Sequence, residues 1–167
     1  MIRAALRKLT VGEHLQEEEI FRIIGGIRSG EVIDVQIAGF LVALLMKGPT
    51  ILEVAAIARA MRANCEQIRP QVEGELIDTC GTGGGRPTFN CSTTVSLVAA
   101  AAGIPVAKHG SRSLSSSSGS ADVLERLGVA IDLAPAQAQR LIERTGISFL
   151  YAPNFHPVMH RVLPPEM

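Results

Sequence analysis

Two segments of the chain hold the residue types needed to grip an anion. The first runs Asp78-Thr79-Cys80-Gly81-Thr82-Gly83-Gly84-Gly85-Arg86-Pro87-Thr88-Phe89-Asn90-Cys91-Ser92-Thr93, between an apolar run and a helical one. Glycines let the backbone turn tightly and approach a ligand, and exposed N–H groups at a helix start favour negative charge. The hydroxyl and amide side chains of Thr88, Asn90, Ser92 and Thr93 add donors. A phosphate or diphosphate fits such a cradle. The plain alternative is a flexible turn, the usual meaning of a glycine run, but its place between strand and helix favours the anion. Two common phosphate motifs are excluded by spelling. No Gly-Lys-Ser/Thr follows, and Gly81-Thr82-Gly83-Gly84-Gly85-Arg86 lacks the last glycine of the dinucleotide fingerprint.

The second segment, Lys108-His109-Gly110-Ser111-Arg112-Ser113-Leu114-Ser115-Ser116-Ser117-Ser118-Gly119-Ser120-Ala121-Asp122, also lies between an apolar run and a helical one. Composition alone makes four consecutive serines a solvated linker. Position argues for a second binding loop. Lys108 and Arg112 bring positive charge, the hydroxyls bring donors, and Ser120 can cap the helix that follows. Two such loops at neighbouring strand ends would hold both ends of one polyphosphorylated ligand. His109 reads equally as a core histidine or as a substrate contact.

Those loops need a scaffold, and the periodicity supplies one. Residues 1–66 read as a small helical bundle, with Ile20, Ile23, Ile24 and Ile27 on one face and a stop near Ser29-Gly30. Asp34 can cap the next helix, predicted to bury Ala38, Leu41 and Leu45 before Gly48-Pro49. Thr50 and Glu53 have capping-box spacing ahead of a stripe of Val54, Ile57, Ala58 and Met61. Counting residues 2–8, that makes four helices. From residue 67 to 167 the pattern becomes α/β. Strands are predicted at Leu76–Cys80, Ile104–Ala107, Val129–Ile131 and Ile147–Tyr151, with helices near 93–102, 120–127 and 135–145. Crossovers long enough for a helix imply a mainly parallel sheet with ligands at the strands' carboxyl ends. After Tyr151 only one more short helix is expected, so the α/β part reads as incomplete, with an open apolar edge.

Composition removes several classes of function. The chain has 167 residues, 47% hydrophobic, with 16 basic and 16 acidic side chains. The charges divide evenly, 8 and 8 in each part, so no basic stripe points to nucleic acid. Aromatics are only 4%, leaving few platforms for stacked bases. No apolar run approaches a membrane span and Met1-Ile2-Arg3-Ala4-Ala5-Leu6-Arg7-Lys8 lacks a signal-peptide core, so a cytoplasmic setting without membrane contact is expected. Cys65, Cys80 and Cys91 are odd in number and show no C-x-x-C spacing, which argues against a disulfide framework and a structural zinc site. They read as reduced packing residues, and Met46, Met61 and Met159 as core or helix contacts.

Taken together, Gly81-Thr82-Gly83-Gly84, Thr88-Phe89-Asn90-x-Ser92-Thr93, Lys108-His109-Gly110 and Gly119-Ser120-Ala121-Asp122-x-Leu124-Glu125-x-Leu127-Gly128 closely resemble the anthranilate phosphoribosyltransferase family. Gln36-Ile37-Ala38-Gly39-Phe40-Leu41, Ala60-Met61-Arg62 and Ala152-Pro153-x-Phe155-His156-Pro157-x-Met159 extend the resemblance over essentially the whole chain. It implies transfer of a phosphoribosyl group from phosphoribosyl pyrophosphate (PRPP) to the amine of anthranilate, with release of pyrophosphate, in tryptophan biosynthesis. It also implies a helical domain that forms a homodimer, a larger α/β domain, and magnesium as cofactor. Carried over by motif, Gly81, Gly83, Gly84, Thr88, Asn90, Ser92, Thr93, Lys108, Ser116 and Ser120 would hold PRPP, with Ser92 also a magnesium ligand. Gly81 and His109 would border the acceptor. The resemblance assigns no general base, since the chemistry rests on orientation and on stabilising the leaving group.

Three positions depart from the family pattern. Gly85 stands where an Asp is usual, Ser111 replaces an acceptor-contacting Asn, and Glu166 falls where an acceptor-binding Arg is expected. The family's acidic magnesium pair lies beyond position 167, so the chain alone is expected to bind a phosphate without turning over. A related transferase with another acceptor, a pyrimidine-nucleoside phosphorylase relative and a noncatalytic nucleic-acid-binding relative are the alternatives.

Overall fold

The computed structural model describes residues 1–81, 89–113 and 118–162. In chain order these form α1 (Ile2–Thr10), α2 (Glu17–Ser29), α3 (Asp34–Lys47), α4 (Ile51–Ala63), α5 (Cys91–Ala101) and β1 (Val106–Gly110). There follow α6 (Ser120–Arg126), α7 (Pro135–Thr145), β2 (Ile147–Tyr151), α8 (Ala152–Phe155) and α9 (Pro157–Val162). They divide into two compact units. One holds Met1–Cys65 and the segment from His156 onward, and the other holds Glu66–Phe155. No helix among the described residues is long and apolar enough to cross a membrane.

In the helical unit α2 buries Ile20, Ile23, Ile24 and Ile27, the face its spacing predicts. It ends at Gly30, whose φ of 84° is a left-handed cap that a side chain would strain. The face of α3 differs from the prediction. Ile37, Phe40 and Leu44 are buried, whereas Ala38 and Leu41 are exposed and Leu45 is 76% exposed. Apolar residues surround α3 almost completely, so its period marks no unique stripe, and the core took the side carrying Phe40. On α4 the buried residues are Glu53, Ala56 and Ala60, with Ile57 and Met61 partly covered and Val54 and Ala58 exposed. Small alanines allow close approach to α2, against which α4 packs. Met46, read as a core or helix-contact side chain, is 81% exposed.

Asp34 is the first residue of α3, and the cap is Ile33. Gln36 Oε1 accepts the Ile33 N–H at 3.3 Å, and Asp34 instead accepts Arg161 Nη2 at 2.8 Å. Arg161 lies on α9, which joins the helical unit by burying Val158 in its core.

A buried carboxylate holds this unit together. Glu53, 1% exposed, completes the capping box with Thr50, and its Oε2 takes Thr50 N–H at 2.8 Å, Thr50 Oγ1 at 2.9 Å and Lys47 Nζ at 2.6 Å. Its Oε1 accepts the Leu15 N–H at 2.9 Å. Burial alone would raise its pKa, but these donors from Leu15, Lys47 and Thr50 outweigh it and bring it down to about 2.

Glu53→Gln should therefore destabilise the unit by roughly 3–5 kcal/mol, because it leaves Lys47 buried without its countercharge. The depressed pKa fixes the pH sign. The contribution is complete above the ordinary carboxylate value of 4.5 and declines as pH falls toward about 2. Urea unfolding of both proteins at pH 7 and pH 3 measures this; an equal gap at the two pH values would contradict it.

In the α/β unit β1 and β2 pair in parallel, with Val106 opposite Ile147 and Gly110 opposite Tyr151. The predicted strand at Leu76–Cys80 is reduced to one parallel bridge, Ile77 with Val106. Two bonds make it, Ile77 N–H to Pro105 carbonyl at 3.0 Å and Ala107 N–H to Ile77 carbonyl at 2.9 Å. The predicted strand at Val129–Ile131 forms no ladder. Ile131 instead enters the core as a side chain, beside Ala121, Leu124 and Phe149. Helices α5, α6 and α7 fall where the periodicity places them. Cys80 and Cys91, read as packing residues, are exposed.

Candidate functional site

Both candidate loops start at the carboxyl ends of the parallel segments. Asp78 follows the Ile77 bridge, and its Oδ1 accepts the backbone N–H of Cys80 at 3.1 Å and of His109 at 3.2 Å. One carboxylate thus ties the two segment ends together. Thr79 Oγ1 donates to the Ser92 carbonyl at 2.8 Å, which pins the first turn of α5. Asn90 is the N-cap of that helix, and its carbonyl accepts the Thr94 N–H at 3.0 Å.

Side chains from the two loops meet at the starts of α5 and α6. Thr93, 2% exposed, donates its hydroxyl to Ser120 Oγ at 3.0 Å. Asn90 Nδ2 donates to Ser118 Oγ at 3.5 Å. The amino ends of two helices are therefore brought side by side, an arrangement whose dipoles favour one multiply charged anion.

Comparison with known proteins gives the family. Residues 73–166 fit the model described as "Glycosyl transferase family, a/b domain", and residues 3–65 fit "Glycosyl transferase family, helical bundle domain". The chain belongs to this glycosyl transferase family. It is 51% identical over 167 residues to a protein of Acetivibrio thermocellus named anthranilate phosphoribosyltransferase, covering 99% of this chain and 48% of that protein. A crystal structure of anthranilate phosphoribosyltransferase from Thermus thermophilus superimposes with TM-score 0.80 at 46% identity, over 95% of this chain and 48% of that one. The Saccharomyces cerevisiae anthranilate phosphoribosyltransferase in complex with PRPP and Mg gives TM-score 0.82 at 25% identity, over 96% and 49%. The chain thus spans about half the length of the relatives it matches.

Within this glycosyl transferase chain the expected donor residues divide into four groups. Asn90, Thr93 and Ser120 are brought together. Ser92 stands on the first turn of α5, and Gly81 is exposed at the end of the segment that follows the Ile77 bridge. Gly83, Gly84, Thr88 and Ser116 lie outside the described residues, as do Gly85 and Glu166. Lys108, on β1, is 2% exposed, and its ammonium donates to the His109 carbonyl. Burial lowers its pKa, and the Asp78 carboxylate nearby, with a further electrostatic contribution from Cys80, opposes that in part.

Two expectations change. Ser120 is not the cap of α6 but its first residue; Gly119 caps it, and the Ser120 hydroxyl serves Thr93. Arg112 is committed to carboxylates rather than offered to an anion, with Nη1 and Nη2 each 2.9 Å from Glu125 and Nη1 3.5 Å from Asp122. The Glu125 pair raises its already high pKa, with help from Tyr151.

Asp122 is the main residue the sequence motifs left without a role. Its Oδ2 accepts the N–H of Gly119 at 2.6 Å and of Ser113 at 3.1 Å, so one oxygen holds both flanks of the serine run. The signal was present, since Gly119 and Asp122 have the three-residue spacing of a capping carboxylate. Gly119 is obligatory for steric reasons. A Cβ there would stand 2.6 Å from Ser113 N and 2.7 Å from the Ser111 carbonyl oxygen.

Gly119→Ala should accordingly destabilise the α/β unit by roughly 1–3 kcal/mol, because backbone atoms must shift to admit the methyl group. A thermal melt of the variant beside the parent chain tests this; coincident melts would count against the close contact.

Proposed function

We propose that this chain carries the PRPP-binding half of an anthranilate phosphoribosyltransferase. The reading rests on the Thr93–Ser120 hydrogen bond, which sets two helix starts and two donor-rich loops against each other at one end of the parallel sheet. Support in chemistry comes from the yeast relative, which is in complex with PRPP and Mg.

The reaction would break the bond between the anomeric carbon of the ribose and a pyrophosphate oxygen. That bond's electrons leave with pyrophosphate, the acceptor's amine supplies the pair for the new carbon–nitrogen bond, and the amine then loses a proton. Negative charge grows on the departing oxygens, so preorganised N–H and O–H donors stabilise the transition state more than the ground state. Asn90, Thr93 and Ser120 would hold the donor's phosphates, and Gly81 lets the backbone come close. Gly83, Gly84, Thr88 and Ser116 complete that proposed set. Lys108 would add its charge by turning from the His109 carbonyl. His109 and Gly81 would border the acceptor.

Magnesium fits the donor chemistry at one point. Ser92 presents a hydroxyl, a hard oxygen ligand, on the turn that Thr79 fixes through the Ser92 carbonyl. When bound with the diphosphate, the ion would neutralise part of the leaving group's charge. The isolated chain is expected to bind PRPP and not to complete the transfer.

Calorimetric titration with PRPP and Mg²⁺ tests the reading. Saturable binding is expected, weakened at least tenfold in the Asn90→Ala, Lys108→Ala double variant. No binding by a folded chain, or equal binding by the variant, overturns it.

The same proposal includes a homodimer formed through the helical unit. The exposed apolar residues Val35, Leu41, Val42, Leu45 and Met46 of α3 and Ile51, Leu52 and Val54 of α4 make a surface of the kind that seeks a partner. An open groove of about 590 Å³ lined by Leu6, Leu9, Val42 and Met46 lies on this unit. Sedimentation velocity should give a dimer for the parent chain and a monomer for Leu45→Glu with Met46→Glu; a monomeric parent contradicts the dimer.

A further inference from the structure

Asp78, Cys80 and His109 converge at the ends of the Ile77 bridge and β1. A carboxylate oxygen, the thiol sulfur and a ring nitrogen all lie within 4.8 Å of one another. We propose that these three side chains form a site for a borderline-soft divalent cation of the Zn²⁺ type, separate in chemistry from magnesium.

The ligand set decides the class of ion. Thiolate and imidazole suit zinc, whereas magnesium takes oxygen ligands almost exclusively. Zinc bonds of about 2.0–2.3 Å set ligand atoms roughly 3.5 Å apart, so the trio must contract by about 1 Å. The contraction is within reach. Asp78 and Cys80 are exposed and lie outside any helix or ladder, while His109 is fixed on β1. Asp78 is already oriented, because its Oδ1 takes two backbone N–H groups and thereby draws the chain at Cys80 toward His109. Three protein ligands leave a fourth position for water or a small anion.

The charge balance is explicit. Cys80 starts as a thiol, whose pKa is raised by its hydrogen bond to Asp78, by burial and by the carboxylate's charge. Binding forms the zinc–sulfur bond and releases the thiol proton to solvent, so two positive charges enter and one leaves. Lys108 is the neighbouring cation that opposes the ion, and its own charge is disfavoured by burial. No sequence spacing reveals such a trio, because 31 positions separate Asp78 from His109 in the chain.

Cobalt(II) titration of the reduced full chain, followed by absorption, is the test. The expected result is saturable one-to-one binding with a sulfur-to-cobalt charge-transfer band, displaced by Zn²⁺ and accompanied by release of about one proton. Cys80→Ser should abolish the band, whereas Cys65→Ser and Cys91→Ser keep it. Asp78→Asn, which retains the Oδ1 acceptor, and His109→Ala should each weaken affinity at least tenfold while circular dichroism reports an unchanged fold. Absence of a sulfur band, a band that follows Cys65 or Cys91, or affinity indifferent to both Asp78→Asn and His109→Ala overturns the proposal.

Discussion

Parallel pairing of β1 with β2 is the constraint on which the α/β unit depends. A parallel ladder cannot be closed by a tight turn, so the chain between the strands must travel back, and it does so through α6 and α7. The Ile77 bridge adds a third parallel segment against fully buried Val106, with α5 on its return path. All three segments then point their carboxyl ends the same way. Asp78 and His109, which lead into the glycine-rich and serine-rich segments, lie beside each other for that reason, although 31 positions separate them in the chain. The helix starts that follow them can then share one ligand.

Carboxylates hold both units by the same physics. Glu53 gathers donors from the α1–α2 connection, the end of α3 and the start of α4. Asp78 gathers the N–H groups of Cys80 and His109, and Asp122 those of Gly119 and Ser113. Each spans backbone that no helix or strand would otherwise satisfy, and backbone N–H groups near the interior need such partners. These three residues shape the molecule without standing among the motif's ligand-binding positions. Arg112 belongs with them, since its fork is filled by Glu125 rather than left for an anion.

Local chemistry was legible wherever a residue's partner lies close in sequence. The isoleucine face of α2, the Thr50–Glu53 capping box, Gly30 as a helix stop and the positions of α5, α6 and α7 all follow from spacing, because helix geometry repeats over three or four residues. The family motifs were legible for the same reason, as short runs of fixed composition. Where a stretch is apolar all round, as in α3, spacing could not choose a face, and the fit of Phe40 did.

What tertiary structure alone decided is everything that pairs distant segments. Whether Leu76–Cys80 and Val129–Ile131 become strands depends on a neighbour's backbone groups, and only Ile77 found a partner among the described residues. The Thr93–Ser120 contact, the diversion of Arg112 to Glu125 and the meeting of Asp78, Cys80 and His109 depend equally on register between segments. The sequence by itself determined the local periods, the caps and the anion-seeking composition of two loops. Their convergence was settled by the parallel register, because a hydrogen bond between residues 27 positions apart exists only once the fold has brought them to 3.0 Å.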